Sequence, residues 1–292
     1  MSNFELNPDV VSKLSSSAVL VNLSLSVWSG RKLDKRVSQE VDAAKSTKTR
    51  AGNYHKNLLA GTDKLDAINK VAGAVRTWHY TVTQPWSDNG ARILNASQMF
   101  DYKAKLVEFE REFVSKVHEF LNEYDNLVSA AAFSLGDLFD RDEYPTREEI
   151  EQKFGFGYTI EPLPQSGDFR VEIGDEGLRE LQAQYEQAIT NRVEQAMRDS
   201  WDRLHDVLSK MSERLESTED GKRKIFRDSL VENAHELCNL LKHFNVNQDV
   251  RLESMRIELS NLLSGVDAET LRESDELRDN TKRKVDALLG KF

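Results

Sequence analysis

The chain has 292 residues, with 40 Lys/Arg against 50 Asp/Glu, a net charge of −10, and 39% hydrophobic and 31% charged residues. That balance excludes a disordered polyelectrolyte and leaves room for one or two sizeable cores. A single cysteine, Cys238, excludes an intrachain disulfide, and no run reaches the roughly 20 apolar residues of a membrane span. The opening MSNFELNPDVV has neither the basic residues nor the long apolar run of a signal peptide, so the expectation is a cytoplasmic protein without membrane contact.

From Val21 the stretch LVNLSLSV alternates strictly, placing Val21, Leu23, Leu25 and Val27 on one face. A period of two predicts a half-buried strand over 19–28, stopped by Ser29-Gly30. Residues 34–60 read as weakly helical, interrupted by Ser46, Thr47, Thr49 and Gly52. Thr62 or Asp63 caps a second predicted helix through Leu65, Ile68, Val71, Ala72 and Val75. The following TVTQPWSDNGAR, 81–92, reads as a loop because of Pro85 and the Asn89-Gly90 dipeptide.

Ser97 is the candidate cap of a long helix with apolar positions at Met99, Tyr102, Leu106, Phe109, Phe113, Val117, Phe120, Tyr124, Leu127 and Ala131. Steps of three and four make a near-heptad seam on a rod roughly 50 Å long at about 1.5 Å per residue. Such a rod packs against another of similar length or crosses an assembly. Phe154 to Ile160 and Phe169 to Ile173 then alternate again around PLPQSG, predicting a hairpin that joins the N-terminal strand in one sheet. After Asp175 everything reads as helix: one through Leu178 to Leu215, then three shorter ones, the last starting near Asp267. The expected fold is α+β and predominantly α-helical, with a small antiparallel sheet and long coiled-coil-like helices. Residues 1–175 form an N-terminal α+β region and 176–292 an all-helical one.

Motifs for chemistry are missing. There is no GxxxxGK[ST] and no GxGxxG after a strand, and GFGYT (155–159) sits inside an alternating strand. His235, Cys238 and His243 point about 0°, 300° and 80° around one helix at 100° per residue, so they do not converge as ligands must. DRDEYPTREEIE (140–151) spaces its acids like a calcium hand but puts Pro145 where that loop demands Gly. No GxSxG, HExxH or Cys/His signature accompanies the six histidines. The expectation is a non-catalytic protein without cofactor or metal.

Charge supplies the remaining lead. Residues 31–80 hold 11 Lys/Arg against 5 Asp/Glu, a local +6 in an acidic chain. The candidate contacts are Arg31, Lys32, Lys35, Arg36, Lys45, Lys48, Arg50 and Lys56, with Trp28 and Trp78 as stacking rings. Cations interleaved with aromatics suit single-stranded nucleic acid: charge meets phosphate and ring faces stack on bases. Two plainer readings stay open at this point. The tryptophans fill a core, or the cations face the protein's own acidic helices.

The stretch LVNLSLSVWSGRKLDK resembles the opening of an uncharacterised family found in bacteriophages and other mobile elements, and FGFGYTIEPLPQSGDFRVE is similar to its central segment. The resemblance spans roughly residues 19–215. Members of that family are often encoded beside a MoxR-like AAA+ ATPase and a von Willebrand A-type protein, or among phage DNA-metabolism genes. It therefore implies a bacterial host cell and no catalytic residues. The leading expectation is a self-associating phage or mobile-element protein that contacts nucleic acid in replication or recombination. The alternative is a scaffold for a AAA+ ATPase partner.

Overall fold

The computed structural model describes residues 14–88, 90–163, 174–216, 224 and 227–292. A helical turn at 14–17 leads into strand β1 (Ala18–Ser26), and then come β2 (Arg31–Asp34), α1 (Lys35–Ala44) and β3 (Tyr54–Asn57). Helix α2 (Lys64–Val82), the short strands β4 (Gln84–Pro85) and β5 (Arg92–Asn95), and a 3-10 turn at Ala96–Gln98 precede the long α3 (Met99–Leu135). After α4 (Arg147–Glu151) and β6 (Gly155–Pro162) come α5 (Gly174–Leu215), α6 (Asp228–Phe244), α7 (Val250–Leu263), α8 (Ala268–Glu273) and α9 (Asp275–Leu289). The fold is α+β and mostly helical. The strand predicted at 169–173 lies outside the described residues.

Contacts gather into two compact units that interleave along the chain. One takes in the described residues up to Asn22, Tyr80–Met99 and the described residues from Thr159; the other is Leu23–His79 with Phe100–Tyr158. The boundaries fall inside β1, α2 and β6 and one residue into α3.

The first unit is built on a sheet edge and a helical bundle. Strand order is β4-β5-β1-β6, with β1 antiparallel to β5 from Ala18↔Asn95 to Val21↔Arg92. The predicted loop at 81–92 is a hairpin instead: Gln84 pairs with Ile93 and Pro85 with Arg92, while Trp86 and Ser87 both donate their N–H to Ala91 O. A two-residue strand is too short to show a period, and proline is tolerated because β4 is the outer strand of the sheet. Leu14, Ala18, Trp86 and Ile93 join Val193, Met197, Leu204 and Leu208 of α5 in one core that continues through α6, α7 and α9. Leu20 packs against that core as well, so β1 is partly covered on both faces where a single buried face was predicted. Buried Arg278 closes α5, donating to Leu215 O (3.0 Å), Arg214 O (2.5 Å) and Lys224 O (3.2 Å). A guanidinium there satisfies carbonyls that a helix end leaves unpaired. The predicted last helix is divided, because Ser274 ends α8 and caps α9 through Leu277 N–H (3.2 Å).

The second unit packs the seam of α3. Tyr102, Leu106, Phe113, Val117, Phe120, Tyr124 and Ala131 are buried as the seam predicts, joined by Leu121 and Val128. The seam meets aromatic side chains of its own unit: Phe113 lies 5.8 Å from Phe156 and Phe120 lies 5.5 Å from Phe154, ring centre to ring centre. The cap of the preceding turn is Asn95 rather than Ser97, since Asn95 Oδ1 accepts from Ser97 N–H (3.0 Å). Thr62 Oγ1 accepts from Lys64 N–H (3.2 Å) at the start of α2. Only 35–44 of the weakly helical stretch is helix; β2 and β3 flank it as an antiparallel pair. Four-residue strands carry too few repeats to show their period, and their pairing spans the whole helix between them.

Candidate nucleic-acid interface

The site begins at a turn that needs glycine. Gly30 has φ +62°, a Cβ there would sit 2.7 Å from Leu65 Cδ2, and Gly30 O accepts from Leu58 N–H at 2.7 Å. Only glycine combines a left-handed backbone with so close an approach. The chain then pairs Arg31↔Asn57, Lys32↔Lys56, Leu33↔His55 and Asp34↔Tyr54. Asp34 starts α1, its Oδ1 accepting from Val37 N–H at 3.0 Å. The sequence thus sets a strand, a cap and a helix start within six residues, and each places cations.

Lys56 leaves the exposed set that the sequence suggested. It is only 4% exposed, with its Nζ 2.6 Å from Glu143 Oε2, 3.4 Å from Asp34 Oδ2 and donating to Leu138 O at 2.7 Å. Lys32 stands directly across the strand pair, and like charges there are unfavourable unless one is neutralised. Asp34 and Glu143 supply that neutralisation. Burial alone would lower the Lys56 pKa, but the two carboxylates hold it above its ordinary value. The Val37 N–H and the Lys56 ammonium in turn hold the Asp34 carboxyl below its ordinary range. The segment after α3 is fixed here by two tyrosines: Tyr144 Oη donates to Leu58 O (2.6 Å) and Tyr124 Oη to Pro145 O (2.9 Å). Burial pushes both phenols up to about 12.

The tryptophans are also packed. Trp28 lies 6.4 Å from Phe120 and 6.2 Å from Tyr124, and Trp78 stacks on Tyr102 at 5.0 Å with Phe109 at 5.5 Å. Both are half-buried. Their rings brace α3 and are only partly open to solvent.

The other cations stay outside. Arg31, Lys32, Lys35, Lys45, Lys48 and Arg50 are exposed, and none forms an ion pair among the described residues. Arg36 is exposed too, 3.6 Å from Glu40 and donating to Asp137 O at 3.2 Å. Arg31, Lys32, Lys35 and Arg36 cluster at the start of α1, whereas Lys45, Lys48 and Arg50 follow its end. Ten residues separate the two groups by about 15 Å at 1.5 Å per residue. The internal-charge reading accounts for part of the segment: Lys56 pairs with Glu143 and Lys64 with Glu123 at 2.8 Å. It leaves the six exposed cations named above without an ion-pair partner among the described residues.

Sequence reasoning singled out neither Tyr54 nor Val41. The structure leaves them 40% and 52% exposed beside the basic loop. The signal for Val41 was its place on α1 next to Ser38, Asp42 and Lys45, once the helix limits are known.

Away from this surface, Cys238 is buried, and burial pushes its thiol up to about 11. Among the described residues no group of three or more His, Cys, Asp or Glu could hold a metal ion, and no helix is long and apolar enough to cross a membrane. No family model, curated protein or solved structure matches the chain.

Proposed function

We propose that the chain is a non-catalytic protein that binds nucleic acid through the cations flanking α1. The observation that carries this reading is the set of six exposed cations, Arg31, Lys32, Lys35, Lys45, Lys48 and Arg50, that form no ion pair among the described residues of a chain of net charge −10. An acidic protein that leaves such a set uncompensated presents a local positive field suited to phosphates. Arg36 adds to the first group. Lys56 and Trp78 are not part of the contact, and Trp28 acts by holding Gly30 and the strand turn in place, its ring 3.9 Å from where a Gly30 Cβ would sit. Action in replication or recombination of a phage or mobile element follows from the resemblance and belongs to the same proposal. Self-association, expected from the α3 seam, belongs to the same proposal; rings of the same unit meet that seam at Phe113 and Phe120, so the contact would use α3 side chains that stay exposed, such as Phe100 and Phe133.

The test is whether the purified full chain carries nuclease-sensitive absorbance at the nucleic-acid maximum. The account expects it in the wild type and expects it to be lost with Arg31, Lys32 and Lys35 all changed to Ala. Wild-type protein free of nucleic acid, and without affinity for added DNA or RNA at low ionic strength, would overturn the proposal.

A further inference from the structure

Ser38, Val41 and Asp42 of α1 and Lys45, its C-cap, stand three and four residues apart and so share one face of the helix. Opposite them run Thr47, Ala51, Gly52, Asn53 and Tyr54, and between the two walls lies a groove of about 300 Å³. The backbone that forms it is tied down. Asp42 O accepts from Thr47 N–H (3.0 Å) and Thr47 Oγ1 (3.3 Å), and Asp42 Oδ1 accepts from Ala51 N–H (3.1 Å). Ser38 Oγ donates to Asp34 O (2.6 Å) and accepts from Tyr54 N–H (2.9 Å). These bonds use up most of the polar groups and leave Val41 and Tyr54 as the uncovered apolar surface. Nothing lies within 4 Å of a Cβ at Gly52, so the slot is open on that side. Lys45 lines the groove, and Lys48 and Arg50 lie in the loop between two of its lining residues, Thr47 and Ala51; all three are exposed and unpaired among the described residues.

We infer that this groove receives one unstacked nucleobase of a single-stranded nucleic acid, laid against Tyr54, with the neighbouring phosphates on Lys45, Lys48 and Arg50. The inference rests on the nucleic-acid reading above and specifies which form of nucleic acid the site takes. Cations alone would hold a duplex equally well, because they read phosphate and not base. A pre-formed apolar slot with an accessible aromatic ring beside three cations is the combination that separates a single strand from a duplex. The edges of the slot also suit a base. Asp42 Oδ2 is left to accept from an exocyclic amine such as that of cytosine, and the exposed Asn53 amide can donate or accept. A carboxylate-rich peptide with an apolar anchor would satisfy the cations but would leave these edge groups unused.

The experiment compares fluorescence anisotropy of the full chain with a labelled oligodeoxycytidylate and with a duplex of equal length, at matched low salt. The single strand is expected to bind at least about fivefold more tightly. Tyr54→Ala should weaken single-strand binding about five- to a hundredfold, the range that loss of one stacked base produces. Tyr54→Phe should keep the preference. Gly52→Leu, which fills the slot without removing a wall, should abolish it, and all three variants should leave duplex affinity unchanged. Equal binding of strand and duplex, or a Tyr54→Ala effect below about twofold, would overturn the groove inference and leave the phosphate reading standing. Failure of both probes to bind would overturn both. Binding of an acidic, leucine-bearing peptide with displacement of the oligonucleotide by Gly52→Leu-insensitive competition would also count against the groove as a base site.

Discussion

Replacing Lys56 with Met keeps most of the apolar stem, one atom shorter, and removes the charge from a site where the lysine side chain is 5% exposed. Glu143 would then be left with an 18% exposed carboxylate and no counter-ion, and Leu138 O would lose its donor. Breaking a buried pair by deleting one partner costs about 3–5 kcal/mol, and an unsatisfied carbonyl adds about 1 kcal/mol. Residual solvent at both carboxylates places the total near the low end, about 3 kcal/mol. With a urea m-value of about 2 kcal/mol/M, that is a midpoint shift of about 1.5 M. The assay is urea denaturation followed by tryptophan fluorescence, to which Trp28 and Trp78 of the same unit contribute. Lys56→Met with Glu143→Gln should recover at least half of the loss, and Lys32→Met, exposed on the partner strand, should stay within about 0.5 kcal/mol of wild type. The pH dependence has a definite sign. A lysine held above its ordinary value of 10.5 contributes stability that is fully present below that pH and is lost as the pH rises through the folded value. Wild type should therefore lose stability in that alkaline window, and the Lys56→Met protein should lack that component. A Lys56→Met cost below about 1 kcal/mol would refute the buried cluster and return Lys56 to the exposed cations.

Three other outcomes follow from single residues. Gly30→Ala should destabilise by about 2 kcal/mol or more, from a left-handed backbone and the Leu65 contact, read as a lowered thermal midpoint. Arg278→Met should cost about 3 kcal/mol by freeing the end of α5, measured in the same denaturation assay. Cys238, with its thiol near 11, should resist a disulfide exchange reagent at mildly alkaline pH in the native protein and react fully once unfolded.

Long periodic elements were legible before any coordinates. The alternation after Val21 marks a strand, though one partly covered on both faces, and the three-four steps of α3 mark its buried seam, because each repeats its signal many times. Short elements were not. Gln84-Pro85 and Tyr54–Asn57 are strands only because Arg92–Ile93 and Arg31–Asp34 pair with them, and runs of two and four residues carry no period that distinguishes them from loop. The same limit shaped the site. Composition found the basic segment, but it could not say that Lys56 would meet Glu143, eighty-odd positions away, or that Trp28 and Trp78 would be spent on α3. The groove at Tyr54 escaped for the opposite reason. Its walls are close in sequence, yet the exposure of Val41 and Tyr54 depends on how the 45–53 segment turns back onto α1.

The claim that the α1 cations hold phosphates is tested most directly by the salt dependence of oligonucleotide affinity. Six or seven phosphate contacts give a slope of log affinity on log salt of about −4 to −5 for a single strand. Changing Arg31, Lys32 and Lys35 to Ala should reduce the magnitude of that slope by about 2, at roughly 0.7 per contact. A wild-type slope near zero, or one that the triple variant leaves unchanged, would contradict the account.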